Sequence, residues 1–180
     1  MEDDIVQFAI FRRERLVRKA KSGEGEAFSE LIRENKLSLY KVAKGMLKRE
    51  CDIEDAIQNT IVKSFEGISS LRNNEYFKTW IIRILINECN LIIKNNKREN
   101  LVDVSNDFKE LKYSDKYENL DVLNAVNTLE IELREVVALY YFEDFKQKDI
   151  AEILGIKEGT VRTRLLRAKK KLKDILNEGE

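Results

Sequence analysis

The chain contains no proline, and only 7 of its 180 residues are glycine. Those two residues break helices and shape tight turns, so a chain this poor in them has little material for hairpin-linked sheets or long ordered loops. Hydrophobic residues make up 43% of the chain, enough for a packed core, and the length accommodates one or two domains. The expectation is an all-α fold. Histidine is also missing. That removes His-based general base chemistry, Ser-His-Asp and Cys-His nucleophile activation, and His-ligated metal sites. Cys51 and Cys89 are too few for a four-cysteine metal cage or a disulfide framework, and both are expected as reduced thiols packed in the interior. No cofactor and no metal are expected.

Basic and acidic residues balance at 33 each, but they are segregated. Residues 1–98 hold 19 Lys/Arg and 15 Asp/Glu (+4), residues 99–145 hold 4 and 12 (−8), and residues 146–180 hold 10 and 6 (+4). The middle segment includes a polar, weakly periodic stretch from about Asn100 to Tyr117. Such a stretch between two periodic regions reads as a linker. The expected organisation is a helical domain over 20–98, a linker over 99–118 and a second helical domain over 119–176. The acidic start Met1-Glu2-Asp3-Asp4 lacks the order of a signal peptide. The most apolar run, Trp80 to Ile93, contains Arg83 and Glu88 and is too short to span a bilayer. A cytoplasmic protein without membrane insertion is expected.

In the first domain, Ala27, Leu31, Ile32, Leu39, Val42, Ala43 and Met46 recur at helical spacing. Asp52, Glu54 and Asp55 open a second helix with acids where the helix dipole favours them, and its apolar face is expected to run through Ala56, Ile57, Ile61, Val62 and Phe65. A polar break at Ser69–Asn74 precedes a long amphipathic helix from about Glu75 to Asn95. The stretch from Ile5 to Lys21 has six Lys/Arg against Glu14 and could lengthen the first helix. In the second domain, helices are expected near 119–128, 131–143, 147–154 and 158–176.

The last two of these form a helix-turn-helix. Gln147 to Leu154 ends at Gly155, which supplies a left-handed turn, and a second helix starts after Lys157. At 100° per residue, Val161, Leu165, Ala168 and Leu172 share one stripe, the core side. Thr163, Leu166, Arg167 and Lys170 lie opposite, flanked by Thr160 and Arg162, while Arg164 lies nearer the core edge. Arginine forks to guanine, and Thr or Leu meets phosphate or a thymine methyl, so this face suits a major groove. From Lys157 to Lys173 eight Lys/Arg stand against Glu158 alone, a charge of +7. That density draws phosphates. A solvated basic helix of a bundle is the plainer alternative, and the glycine turn and core stripe argue against it.

The stretch "DIAEILGIKEGTVRTRLLRAKKKL" resembles region 4 of the sigma-70 family of bacterial transcription initiation factors. "EAFSELIRENKLSLYKVAKGMLKRECDIEDAIQNTIVKSF" resembles regions 2.1 and 2.2, and "YFKTWIIRILINECNLIIKNNKRE" resembles regions 2.3 and 2.4. Two such domains joined by a short linker are similar to the extracytoplasmic-function (ECF) sigma factors. The resemblance implies core RNA polymerase, through its β′ clamp helices and β flap, and promoter DNA as partners. It also implies a membrane-anchored anti-sigma factor that holds the protein inactive.

By the same resemblance, Asp52, Glu54, Asp55 and Gln58 match the clamp-helix contact, where an acidic helix edge meets a basic partner. Within the Ser69–Asn74 loop, Ser70, Arg72, Asn73 and Asn74 match residues that capture a flipped base of the −10 element. Tyr76, Phe77, Lys78, Trp80, Arg83 and Asn87 match the helix that helps open the promoter, with Lys94, Lys97 and Arg98 extending it in positive charge. Trp80 also has core spacing. Thr160, Arg162, Thr163, Arg164, Leu166 and Arg167 match the −35 recognition helix, with Lys148 a phosphate contact from the helix before it. The chain departs from the family pattern at Leu129-Glu130, where Leu-Pro is frequent, and at Lys157, where Pro or Ser is frequent.

A helix-turn-helix repressor or activator would instead be a stable dimer on palindromic sites and would leave the Asp52–Gln58 and Phe77–Asn87 motifs unexplained. An enzyme working through paired carboxylates is disfavoured by the missing histidine, the lack of a Gly-rich phosphate loop and the isolated cysteines.

Overall fold

The computed structural model describes residues 2–102 and 120–177, with side chains over 11–96 and 122–177. Among the described residues there are helices and turns and no strand. The helices are α1 (Glu2–Lys21), α2 (Gly25–Met46), α3 (Glu50–Gly67), α4 (Phe77–Val102), α5 (Leu120–Thr128), α6 (Ile131–Val137), α7 (Gln147–Leu154) and α8 (Glu158–Asn177). Two short 3₁₀ turns, Ile68–Ser70 and Asn74–Tyr76, join α3 to α4. α6 runs on into a π-type turn, Ala138–Phe142. Most of the segment read as a linker lies outside the described residues; its first positions continue α4, past the expected boundary at residue 98. Residues 5–21 do not lengthen the first helix. They form α1, which ends where Gly23 takes φ +96°.

α1 to α4 bury Val17, Leu31, Leu39, Val42, Met46, Ile53, Phe77, Ile81, Ile82 and Leu85. The same core continues into the second unit through Val136, Ala138, Leu139, Ile150, Ile153, Val161 and Leu165. A smaller cluster of Val126, Leu129, Leu133, Val137 and Ala168 holds α5, α6 and α8 together. The two helical units expected from the sequence therefore pack on each other. Gly45 makes that approach possible, because a Cβ there would stand 2.9 Å from the Phe142 ring and 3.0 Å from Ala138 Cβ.

α3 departs from its expected apolar face. Ala56 is buried, but Val62 and Phe65 are more than half exposed, and Thr60 and Ser64 are buried instead. Their hydroxyls are satisfied within the helix: Thr60 Oγ1 donates to the Ala56 carbonyl at 2.7 Å and Ser64 Oγ to the Ile61 carbonyl at 2.9 Å. A hydroxyl bonded back to its own helix no longer needs water, which is why these residues can point inward. Phe65 keeps one contact, an edge-on packing against Phe28 at 5.1 Å.

The two thiols also part ways. Cys89 is buried, and burial together with the neighbouring Glu88 charge pushes its pKa up to about 12. Cys51, expected inside, is exposed at the start of α3, one residue before the inward-facing Asp52.

Candidate functional site

The helix-turn-helix is built as its spacing requires. Gly155 caps α7 in the left-handed region at φ 65° and ψ 33°, and Ile156 N–H closes the turn on the Ala151 carbonyl at 3.0 Å. Val161, Leu165 and Ala168 are buried, and Leu172 packs beside them half-buried. The opposite face is open. Thr160, Arg162, Thr163, Leu166 and Arg167 are all exposed, Leu166 by 65%, and Lys148 on α7 is exposed too. An exposed leucine between arginines makes an apolar contact available beside cationic forks, the mixture a major groove accepts. Thr163 Oγ1 donates to the Gly159 carbonyl at 2.9 Å, which leaves its oxygen free to accept.

Arg164 is the member that turns away. It lies 3.8 Å from Glu135 of α6 and is only partly exposed. Burial, then the charge of Glu132, raises the Glu135 pKa, against the opposing effects of Asn90 and Arg164. Further along α8, Lys171 pairs with Glu130 at 2.5 Å, and that bond holds the Glu130 carboxyl below its ordinary range. α8 is thus fastened to α6 by charge on one flank while the face opposite its buried stripe stays clear.

The acidic edge of α3 divides. Glu54, Asp55 and Gln58 are exposed together. Asp52 is turned inward at 6% exposure. Its carboxylate accepts two bonds from Arg49, at 3.0 and 2.6 Å, and one from Asn96 of α4 at 3.1 Å. Its role here is to tie α3 to α4, so it does not stand on the acidic edge with the other three. Asp52→Ala is expected to lower unfolding stability by about 1.5–3 kcal/mol, the range for hydrogen bonds to a charged group. Asp55→Ala should leave stability within about 0.5 kcal/mol, as exposed substitutions do. Urea denaturation of the two variants checks both values; equal midpoints would count against the inward tie.

The loop between α3 and α4 is held by its own polar groups. Ser70 Oγ donates to the Gly67 carbonyl at 2.6 Å, and Asn73 Oδ1 accepts the Glu75 N–H at 3.1 Å. Asn74 Oδ1 accepts from Lys21 at 3.2 Å. Arg72 is exposed, with Tyr76 beside it at 47% exposure. Phe77 is fully buried, and Trp80 packs half-buried against the core, 5.9 Å from Phe77 between ring centroids. The core spacing of Trp80 is what the structure uses, and Phe77 has no open ring face. Asn87 is exposed on α4. Lys94 is exposed as well, while the side chains of Lys97 and Arg98 lie outside the described residues.

Lys78 and Arg83 are engaged by the second unit. Lys78 Nζ pairs with Glu143 at 2.8 Å, and Glu143 also accepts from Ser38 Oγ at 2.5 Å and faces Lys41 at 4.0 Å. Arg83 donates to the carbonyls of Ile153, at 3.0 Å, and Glu152. Those carbonyls end α7 and carry the negative pole of its dipole, so a guanidinium satisfies them and gains electrostatically. Arg134 does the same for α2 from the other side, donating to Met46 O at 2.9 Å as well as to Asn127 O and Leu129 O. Asn90 of α4 donates to Glu135 at 2.7 Å. Glu143, Glu135 and Arg134 carried no signal in the sequence, because their partners in the first unit lie tens of residues away. Among the described residues no group of His, Cys, Asp and Glu could hold a metal ion, and no helix is long and apolar enough to cross a membrane.

The model of Sigma-70 region 2 matches residues 31–99, and that of Sigma-70 region 4 matches residues 119–172. The chain is 31% identical over 140 residues to the RNA polymerase sigma factor SigV of Bacillus subtilis, covering 77% of this chain and 84% of that one. It is 30% identical over 182 residues to the ECF RNA polymerase sigma-E factor of Haemophilus influenzae, covering 88% and 92%. Among solved structures it is similar to CnrH in complex with the cytosolic domain of CnrY, with a TM-score of 0.74 at 23% identity over 94% of this chain and 99% of that one. It is also similar to the sigma factor RpoE in complex with the anti-sigma factor NepR from Bartonella quintana, with a TM-score of 0.70 at 24% identity over 83% and 96%.

Proposed function

Because the chain belongs to the ECF sigma factors of the sigma-70 family, we propose that it directs core RNA polymerase to promoters by reading the −35 element with α8 and the −10 element with the loop before α4. It is not an enzyme; it works through binding energy, applied to deforming and melting DNA. The observation that carries the −35 assignment is the exposed face of Thr160, Arg162, Thr163, Leu166 and Arg167, set opposite a buried stripe behind the left-handed Gly155. Arg164 supports α8 from Glu135, and Lys148 supplies a phosphate contact from α7. Glu54, Asp55 and Gln58 form the edge offered to the β′ clamp helices, with the β flap as the partner of the second unit. Arg72, Asn73, Asn74 and Ser70 read the −10 strand, with Tyr76, Asn87 and Lys94 along it.

Lys78 and Arg83 belong to the same DNA path but are held by Glu143 and the end of α7 in this arrangement. We infer that the two helical units part before the promoter strand is bound, and that the polar segment 99–118 serves as the tether. CnrH and RpoE were solved with CnrY and the anti-sigma factor NepR. By the family resemblance, a membrane-anchored anti-sigma factor would hold this chain inactive in the cytoplasm, under an envelope-stress signal.

In vitro transcription with core polymerase on a library of genomic fragments tests the reading, and failure to bind core polymerase in a pull-down would sink it. Arg167→Ala is expected to weaken promoter binding by about 1–3 kcal/mol and to relax the preference at one position of the −35 element. Equal weakening on every sequence would assign Arg167 to the phosphates.

A further inference from the structure

α1 has no assigned task in promoter binding, yet its last residue ends on the loop proposed to read the −10 element. Lys21 Nζ donates to the Leu71 carbonyl at 2.6 Å and to Asn74 Oδ1 at 3.2 Å, across 50 and 53 residues of chain. The lysine is well seated. Leu16, Val17 and Ala20 bury the inner face of α1, and Arg12 binds Glu30 and Glu34 of α2. The helix then stops at Ser22 and Gly23, with Lys19 paired to Glu24 at 2.9 Å. The ammonium is partly buried and reaches the loop from a fixed backbone.

An ammonium can only donate, so the atom of Asn74 that faces Lys21 is its oxygen. Its NH₂ is thereby left to point elsewhere. The same holds at Asn73, whose oxygen accepts the Glu75 N–H. With Arg72 exposed between these and the buried Leu71, the loop offers outward a row of donors. We propose that Lys21 is a positioning residue for the −10 loop: it pins the Leu71 carbonyl and the Asn74 oxygen, so that the loop presents donors to the acceptor atoms of an unpaired base. This rests on the assignment of that loop to the −10 element. Without the tie, the loop loses its hold at Leu71 and the Asn74 amide is free to turn over, and base discrimination falls.

The test is transcription with core polymerase from promoters carrying each base at each −10 position, read as the ratio of best to worst base. Lys21→Met should lower that ratio about three- to tenfold, the scale of one net hydrogen bond lost from the loop's support, and speed amide hydrogen exchange across residues 71–76. Lys21→Arg, which can donate to both oxygens, should restore the ratio. Asn74→Asp keeps an acceptor for Lys21 but has no NH₂, so the ratio should fall while exchange stays slow. If Lys21→Met weakened transcription equally from all promoters, the lysine would be a phosphate contact and the proposal overturned. If Arg72→Ala changed the ratio and Lys21→Met did not, only the positioning role would fail. If neither Arg72→Ala nor Asn74→Asp moved the ratio, the assignment of the loop to the −10 element would fail, and this proposal with it. A thermal melt of each variant, with Asn74→Ala as a second way to cut the tie, separates these results from misfolding.

Discussion

Glu143→Lys is expected to separate the two helical units while leaving each folded. The Glu143 side chain is 7% exposed and holds Lys78, Lys41 and Ser38 of the first unit to the second. Reversing its charge sets three cations together in a site that excludes most water. Removing one partner of a buried pair costs about 3–5 kcal/mol, and the partial exposure of both lysines puts this site at the low end. That loss falls on contacts between the units, since Lys78, Lys41 and Ser38 all belong to the first unit and Glu143 to the second. Fluorescent labels on α3 and α8 should report a longer mean distance in the variant, and Glu143→Gln, which keeps a group able to bond Ser38, should lie between. Lys78 and Arg83 would then be released, so single-stranded promoter DNA should bind more tightly. An unchanged distance would mean that the shared apolar core, with Arg83, Arg134 and Asn90, holds the units without Glu143.

The second large effect separates two adjacent aromatic residues. Phe77→Ala should destabilise the fold by about 3–5 kcal/mol, because a fully buried ring leaves a cavity when removed. Tyr76→Ala should be nearly silent in stability, since the ring is 47% exposed. In binding of single-stranded −10 DNA the order reverses. Loss of a stacking ring costs about 1–3 kcal/mol per base, and only Tyr76 has a face to offer. Denaturation midpoints and fluorescence anisotropy with the single strand measure the two. A Tyr76→Ala variant that binds like the parent would move the stacking role away from this turn, onto α4.

The parts legible in the sequence are those decided by near neighbours. The core stripe of α8 follows from a spacing of three and four residues, and the left-handed turn at Gly155 from the one residue that adopts it without strain. The exposure of Thr160, Arg162, Thr163, Leu166 and Arg167 is the other side of the same periodicity. Periodicity failed on α3, where it favoured Val62 and Phe65 over Thr60 and Ser64. Two hydroxyls that bond their own helix are as fit for burial as apolar groups, and nothing in their spacing says so. Asp52 lies within a turn of Glu54 and Asp55 and differs in facing Arg49, and Asn96 of α4.

What the sequence determined alone is therefore the helices from α2 onward, the charge each carries and, α3 excepted, the face each hides, because these depend on contacts within a turn or two. The absence of proline and histidine reached further, to a helical molecule without histidine-based chemistry. The tertiary structure decided which charges meet. Arg83 on the carbonyls of α7, Glu143 among Ser38, Lys41 and Lys78, and Lys21 on the loop at Leu71 are pairings across 50 to 105 residues. A charged side chain has the same local signature whether it meets DNA, a helix end or another side chain. Its partner is set by how the helices pack, and that packing depends on groups such as the missing Cβ of Gly45, whose meaning appears only when Phe142 is placed against it.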